Sequence, residues 1–417
     1  MAPAPTASRA VPAFARHNDS IAAGNVLTRH YEPPIVHRVD VHDESLRDGE
    51  QTVGVAFTLE RKLQIARGLL DAGVRYLSLG YPAVSDAERD AVRTLAKLGD
   101  SSGFSCLSRA TPRDIEAVVA CDIPNVALFI GVSDIHLSRK LRMSEDAAYE
   151  RMRDQLALAR SHGLTARFGL EDATRAPIER LKRFALGALE AGANMVTIPD
   201  TCGVLTPLTA FRLFQDLTSL LGPDRLAAHL HNDLGMATAN TLAACAGGAR
   251  MVQGTLDGIG ERAGNANLEQ LVVTLKIKYG VDTGIDPQKV RHLSLQMAEW
   301  VRFPIPPNQP ISGAYAFSHE SGIHVHGIMQ DAACYEPFPP ELVGRHHEVR
   351  YGKHSGTSNL RYLAHLLGLE PSDAVLDDVL MLVKRQSERG DTMEAAEIEH
   401  LLRERSERPR AVEAPSR

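Results

Sequence analysis

Eight short runs of β-branched and apolar residues recur along the first two-thirds of the chain, separated by segments of helical spacing. They are IVHRVDVH (35–42), YLSLG (76–80), GFSCLS (103–108), NVALFIG (125–131), TARFGLED (165–172), MVTIPDT (195–201), AAHLHND (227–233) and MVQGTLDGIG (251–260). Between them lie segments such as LERKLQIARGLLDAG and PIERLKRFALGALEAG, whose apolar residues repeat every three or four positions and which end in a glycine suited to a helix C-cap. Strands alternating with helices predict a parallel sheet, and eight such repeats across residues 35–260 match the size of a (β/α)8 TIM barrel. Run after run also begins apolar and ends in charged or hydroxyl groups, as in VHDESLRD, RFGLED, TIPDT, HLHND and DGIGER. In a barrel these endings share one rim, where catalytic residues gather. Polar loops would account for the Asp and Thr, but less readily for His and Arg within the last strand positions.

The alternation stops after about residue 285. VRFPIPPNQPISGAY then reads as an extended connector, followed by a mostly helical region over 286–417 containing SHESGIHVHG, GRHHEVRYGKHSG and two closing helical segments. Residues 1–34 are expected to be a poorly ordered leader; they are Ala-, Pro- and Arg-rich, and three early prolines disfavour the amphipathic helix of a transit peptide. With 417 residues and 44% hydrophobic content, the chain can bury a large core around residues 35–285. Its net charge of −6 is dispersed, so nothing calls for a nucleic acid or a membrane as partner. Five scattered cysteines, an odd number without a CxxC pair, argue against a disulfide framework and for a reducing, cytoplasmic setting.

His229 and His231 are two apart, so in a strand both imidazoles point to the same side and could share a divalent metal. In a chain with 17 histidines such a pair also arises by chance, and it needs a third ligand. Asp48 of SLRDGEQ, after the first strand, supplies one, because the first and seventh strands are near neighbours in a closed barrel. Two histidines and one carboxylate with open positions compose a catalytic rather than a structural metal site. Arg47 could place a positive charge on the same substrate oxygen, or simply pair with Asp48. Arg167, within a strand, needs an anionic partner, either Glu171 or a bound carboxylate. Thr201 either binds a substrate oxygen or caps the next helix. The turn GIGERAGN makes Asn265 available to the site.

At SLRDGEQTVGVAFT, HLHNDLGMATANTLAA, GIGERAGNANLE and SHESGIHVHG the chain resembles the metal-dependent acyl-CoA condensing enzymes of the homocitrate and isopropylmalate synthase family, most nearly the short homocitrate synthase type. The likeness runs from about residue 35 to beyond 400, in the family's order. It implies a TIM barrel with Asp48, His229 and His231 as ligands of a divalent metal and Asn265 close to it. It also implies that Arg47 polarises the acceptor's ketone, and that Gln51, Ser78, Arg167 and Thr201 stand at the substrate. His324 and Tyr335 are implied to act as acid and base in a partner subunit's barrel, giving a homodimer with exchanged C-terminal regions. Two departures stand out. Ser78 replaces a glutamate usual in the second strand, removing a negative charge near Arg47. Gly169 replaces a serine usual in the fifth, removing a hydroxyl expected at the acceptor's distal carboxylate.

The expected activity is therefore Claisen addition of acetyl-CoA to the ketone of a 2-oxo diacid, with thioester hydrolysis driving the reaction. The favoured acceptor is 2-oxoglutarate, followed by oxaloacetate or its phosphonate or phosphinate analogue. A lyase of the hydroxymethylglutaryl thioester type is the alternative, against which the C-terminal region argues.

Overall fold

The computed structural model describes residues 30–407, so most of the expected leader lies outside the described residues. The chain divides into two compact units that part between Gly313 and Ala314.

In the first unit eight parallel strands close into a barrel in sequence order: β1 (Asp40–Asp43), β2 (Tyr76–Ser78), β3 (Phe104–Arg109), β4 (Asn125–Gly131), β5 (Thr165–Glu171), β6 (Met195–Asp200), β7 (Leu226–Leu230) and β8 (Met251–Gly254). Closure is by β1 on β8, with Asp40 opposite Met251 and Asp43 opposite Gly254. A helix follows each strand: α1 (Leu59–Asp71), α2 (Asp86–Leu95), α3 (Pro112–Val119), α4 (Glu145–Ser161), α5 (Ile178–Glu190), α6 (Pro207–Leu221), α7 (Ala237–Ala246) and α8 (Leu268–Tyr279). Several start at hydroxyl or amide caps, as where Ser85 accepts from Glu88 N–H, Ser144 from Ala147 N–H and Asn267 from Gln270 N–H. Strands such as β7, LAAHL, are buried at every position, because the barrel lumen covers one face and helices the other.

The first and last strands differ from the sequence reading. Residues 35–39 carry a strand-like pattern, yet the ladder begins at Asp40, since β8 starts only at Met251 and offers the earlier residues no neighbour. Similarly β8 stops at Gly254, where Thr255, Gly258 and Ile259 fold into a tight turn closed by Gly258 N–H to Thr255 O. The barrel unit also extends past the expected border at 285. Helix α9 (Pro287–Val301) lies on α1, where Leu293 fills the space that a Cβ on Gly68 would take, 2.7 Å from Leu293 Cδ1.

The second unit is mostly helical: α10 (Gly322–Gln330), α11 (Thr357–Leu367), α12 (Asp373–Glu388) and α13 (Ala395–Glu407), the last three around Leu360, Val379, Val383, Ile398 and Leu402. A two-stranded parallel ladder pairs Ser318–His319 with Glu348–Val349. The cysteines are free, and none of the described helices is long and apolar enough to cross a membrane.

Candidate active site

The strands' C-terminal ends surround a cavity of about 420 Å³ lined by Arg47, Asp48, Arg167, Thr197, His229 and His231, among others. His229 is the next-to-last residue of β7 and His231 follows the strand, so both rings face the lumen with their Nε2 atoms 3.3 Å apart. Asp48, at the turn after β1, sets its Oδ2 3.3 Å from His229 Nε2 and 3.9 Å from His231 Nε2. All three side chains are buried, and their ligand atoms fall within 4.8 Å of one another. Burial, then the neighbouring His229 ring, lowers the His231 pKa to about 4, leaving it the neutral imidazole a metal requires. Burial works to raise the Asp48 carboxyl, but Arg47 and the two imidazoles outweigh it and hold the group well below its usual range.

The surroundings also fit a cation. Asn265 bridges to His231 through the backbone, its Oδ1 buried without a hydrogen-bond partner among the described residues. Gly260 sits between Asp48 and Asn265 in a conformation with φ 151°, and a Cβ there would collide with both side chains. These residues could hold a divalent ion through two imidazoles, a carboxylate and an amide oxygen.

Arg47 lies against Asp48 Oδ2 at 2.8 Å and Glu44 Oε2 at 2.7 Å. Glu44, which sequence reasoning passed over, organises the pocket's charge. Its Oε1 also lies 3.1 Å from His42 Nδ1 and 3.6 Å from Arg167 Nη2. Burial opposes its ionisation, yet Arg47, His42 and Arg167 hold Glu44 far below the carboxylate range. The negative charge expected to be missing near Arg47 is therefore present. It stands one step beyond the Asp43–Leu77 pair, level with Ser78 on the neighbouring strand. Its signal was the period of two in HDE, which turns Glu44 to the lumen together with His42.

Arg167 reaches from the barrel interior to the floor of the cavity, and burial pulls its pKa down. Of the two partners left open by the sequence, Glu171 is engaged elsewhere, by Lys140 Nζ at 2.7 Å and His136 Nδ1 at 3.3 Å. Arg167 instead meets Glu44 and donates to Met251 Sδ at 2.9 Å. Thr201 lines the cavity and accepts Asp172 N–H at 2.9 Å; the next helix is capped by Thr206. Gln51 lines the mouth, whereas Ser78 is buried and does not line the cavity. Gly169 needs no special backbone, and a Cβ there would make only ordinary contact, 3.4 Å from Phe129 Cβ.

Comparison with known proteins gives the chain a family. The model of the family described as HMGL-like matches residues 38–296, and that described as homocitrate synthase post-HMGL domain-like matches 311–391. "Homocitrate synthase AksA" of Methanopyrus kandleri is 40% identical over 88% of this chain and 92% of its own length. "Probable 2-isopropylmalate synthase" of Ignicoccus hospitalis is 41% identical over 90% and 94%. "(R)-citramalate synthase CimA" of Methanocaldococcus jannaschii is 40% identical over 88% and 74%. The chain belongs to the homocitrate and isopropylmalate synthase family. The barrel alone is shared more widely: Bacillus subtilis HMG-CoA lyase overlays with a TM-score of 0.58 at 23% identity, covering 66% of this chain and 97% of the lyase.

In this family member the other two expected catalytic residues lie in the second unit. His324 of α10 stacks on Tyr335 with ring centroids 4.1 Å apart and planes 25° from parallel. Gly327 permits the contact, since a Cβ there would lie 2.5 Å from Tyr335 Cε2. Beside them His319 Nε2 faces Glu336 Oε1 at 3.3 Å.

Proposed function

We propose that the protein condenses acetyl-CoA with the ketone of a 2-oxo diacid, 2-oxoglutarate foremost, and releases CoA by thioester hydrolysis. The observation that carries this reading is Arg167, a buried guanidinium whose nearest carboxylate, Glu44, is 3.6 Å away and shared with Arg47. Arg47 and Arg167 are balanced by Glu44 and Asp48. A divalent ion held by Asp48, His229 and His231, with Asn265 beside it, would supply Lewis-acid polarisation of the ketone and add positive charge for an anionic acceptor.

In this account the acceptor's ketone points at Arg47, which steadies the charge developing on oxygen, while Arg167 and Thr201 hold the distal carboxylate. Gln51 closes the mouth above them. His324 and Tyr335, offered by the C-terminal unit of a second copy, take the proton from the acetyl methyl group. The resulting enolate attacks the ketone carbon, and water then cleaves the thioester. The match at 311–391 favours this over a lyase. Gly169, which lacks the hydroxyl expected at the distal carboxylate, favours a second acceptor class, oxaloacetate or its phosphonate or phosphinate analogue.

The test is free-thiol release from acetyl-CoA against 2-oxoglutarate, oxaloacetate, phosphonopyruvate, pyruvate and 2-oxoisovalerate. Release should be strongest with the diacids and weak with the two monoacids. No release with any acid would overturn the synthase reading; preference for the monoacids would overturn the diacid.

A further inference from the structure

One polar group on the cavity wall has no task in the account above. Thr197 of β6 is 6% exposed, lines the same cavity as Arg167, and its Oγ1 is buried without a hydrogen-bond partner among the described residues. Its direction follows from the strand: Met195 and Pro199, two residues to either side, both line the lumen, so Thr197 faces inward with them. In the β5–β6 register Met195 stands opposite Arg167 and Thr197 opposite Gly169. The hydroxyl is therefore one inward-facing step closer to the rim than the Cα of Arg167, beside Gly169. A buried hydroxyl that makes no bond within the protein is costly to keep, and one that faces a cavity next to an anion-seeking guanidinium is placed to serve a ligand.

We infer that Thr197 is a specificity-determining contact: its hydroxyl donates to the distal anionic group of the acceptor, which Arg167 neutralises. This rests on the 2-oxo diacid synthase reading and adds to it a residue and a place. The hydroxyl absent at position 169 is thereby supplied from the adjacent strand, by the residue paired with it. A distal group held by the guanidinium, by Thr201 and by the Thr197 hydroxyl is recognised by charge and by directed bonds. An acceptor with no distal acid gains nothing from it.

The experiment compares Thr197→Val, which keeps the shape and removes the hydroxyl, with Thr197→Ser, which keeps the hydroxyl, and with the double variant G169S/T197V. Steady-state kinetics on the best diacid acceptor and thermal unfolding are measured for each full-length protein. Thr197→Val should raise the acceptor KM roughly tenfold, the usual effect of losing one hydrogen bond to a charged group. Its kcat and acetyl-CoA KM should stay near wild type, and its Tm should not fall, because no protein partner is lost. Thr197→Ser should keep the low KM, and the serine at 169 should restore much of it to the double variant. An unchanged acceptor KM in Thr197→Val overturns the inference. So does a lowered Tm with equal losses on both substrates, which would make the residue structural. Failure of the wild-type protein to release thiol with any acid overturns the synthase reading itself, a distinct result visible before any variant is made.

Discussion

Arg167 shows what a single side chain can disclose and what it withholds. A guanidinium in the middle of TARFGLE has to meet an anion, and that much follows from the cost of burying charge. Which anion does not follow, because Glu171 is near in sequence whereas Glu44 approaches only when the barrel brings β1 and β5 to a common lumen. Arg167→Ala should raise the acceptor KM by about 10- to 100-fold with a smaller change in kcat and none in the acetyl-CoA KM. Arg167→Lys should recover part of it, as a point charge without the planar fork. An unmoved acceptor KM, measured by thiol release, would make Arg167 a structural counter-ion of Glu44. The His229, His231 and Asp48 cluster was legible because alternation along a strand and closure of a barrel are both general. Glu44 and Thr197 were readable by the same period of two, but nothing in their immediate sequence marks a charge shared across the lumen or a hydroxyl left unpaired.

Among the elements, the short turn Gly49–Gln51 that follows Asp48 depends on a clamp from two helices. Lys62 of α1, almost fully buried, lies 2.7 Å from Glu50 and 2.5 Å from Glu88 of α2, while Glu50 also accepts Phe57 N–H at 3.0 Å. Removing one partner of a buried ion network leaves uncompensated charge. Lys62→Met should therefore destabilise the protein by about 3 kcal/mol, seen as a lower Tm, because two carboxylates lose their common cation. A Tm equal to wild type would show the clamp to be dispensable. Element type was legible from hydrophobic period throughout the barrel. Element ends were not: the ladder over 35–43 starts where β8 begins, and the segment after β8 turns back because Gly258 adopts φ 70°. Both are properties of a neighbour or of backbone geometry, which a run of apolar residues does not encode.

For the molecule as a whole, strand order 1 to 8 and the placing of polar groups at one rim were predictable because right-handed βα repeats of this number close in one way. The second unit was less legible: its histidines are spread over three helices, loops and a two-stranded ladder, and no period links them. There the stacking of His324 on Tyr335 is a tertiary fact, made possible by Gly327. The central claim is that this barrel makes a carbon–carbon bond at the cavity holding Asp48, His229 and His231. Its most direct test supplies acetyl-CoA labelled with ¹³C at both acetyl carbons together with 2-oxoglutarate, and follows the organic acid product by mass spectrometry with and without chelator. The account predicts a single new acid carrying both labelled carbons, formed in step with CoA and abolished by chelation. CoA release that leaves the label in free acetate, or a labelled product that persists when the metal is removed, would contradict it.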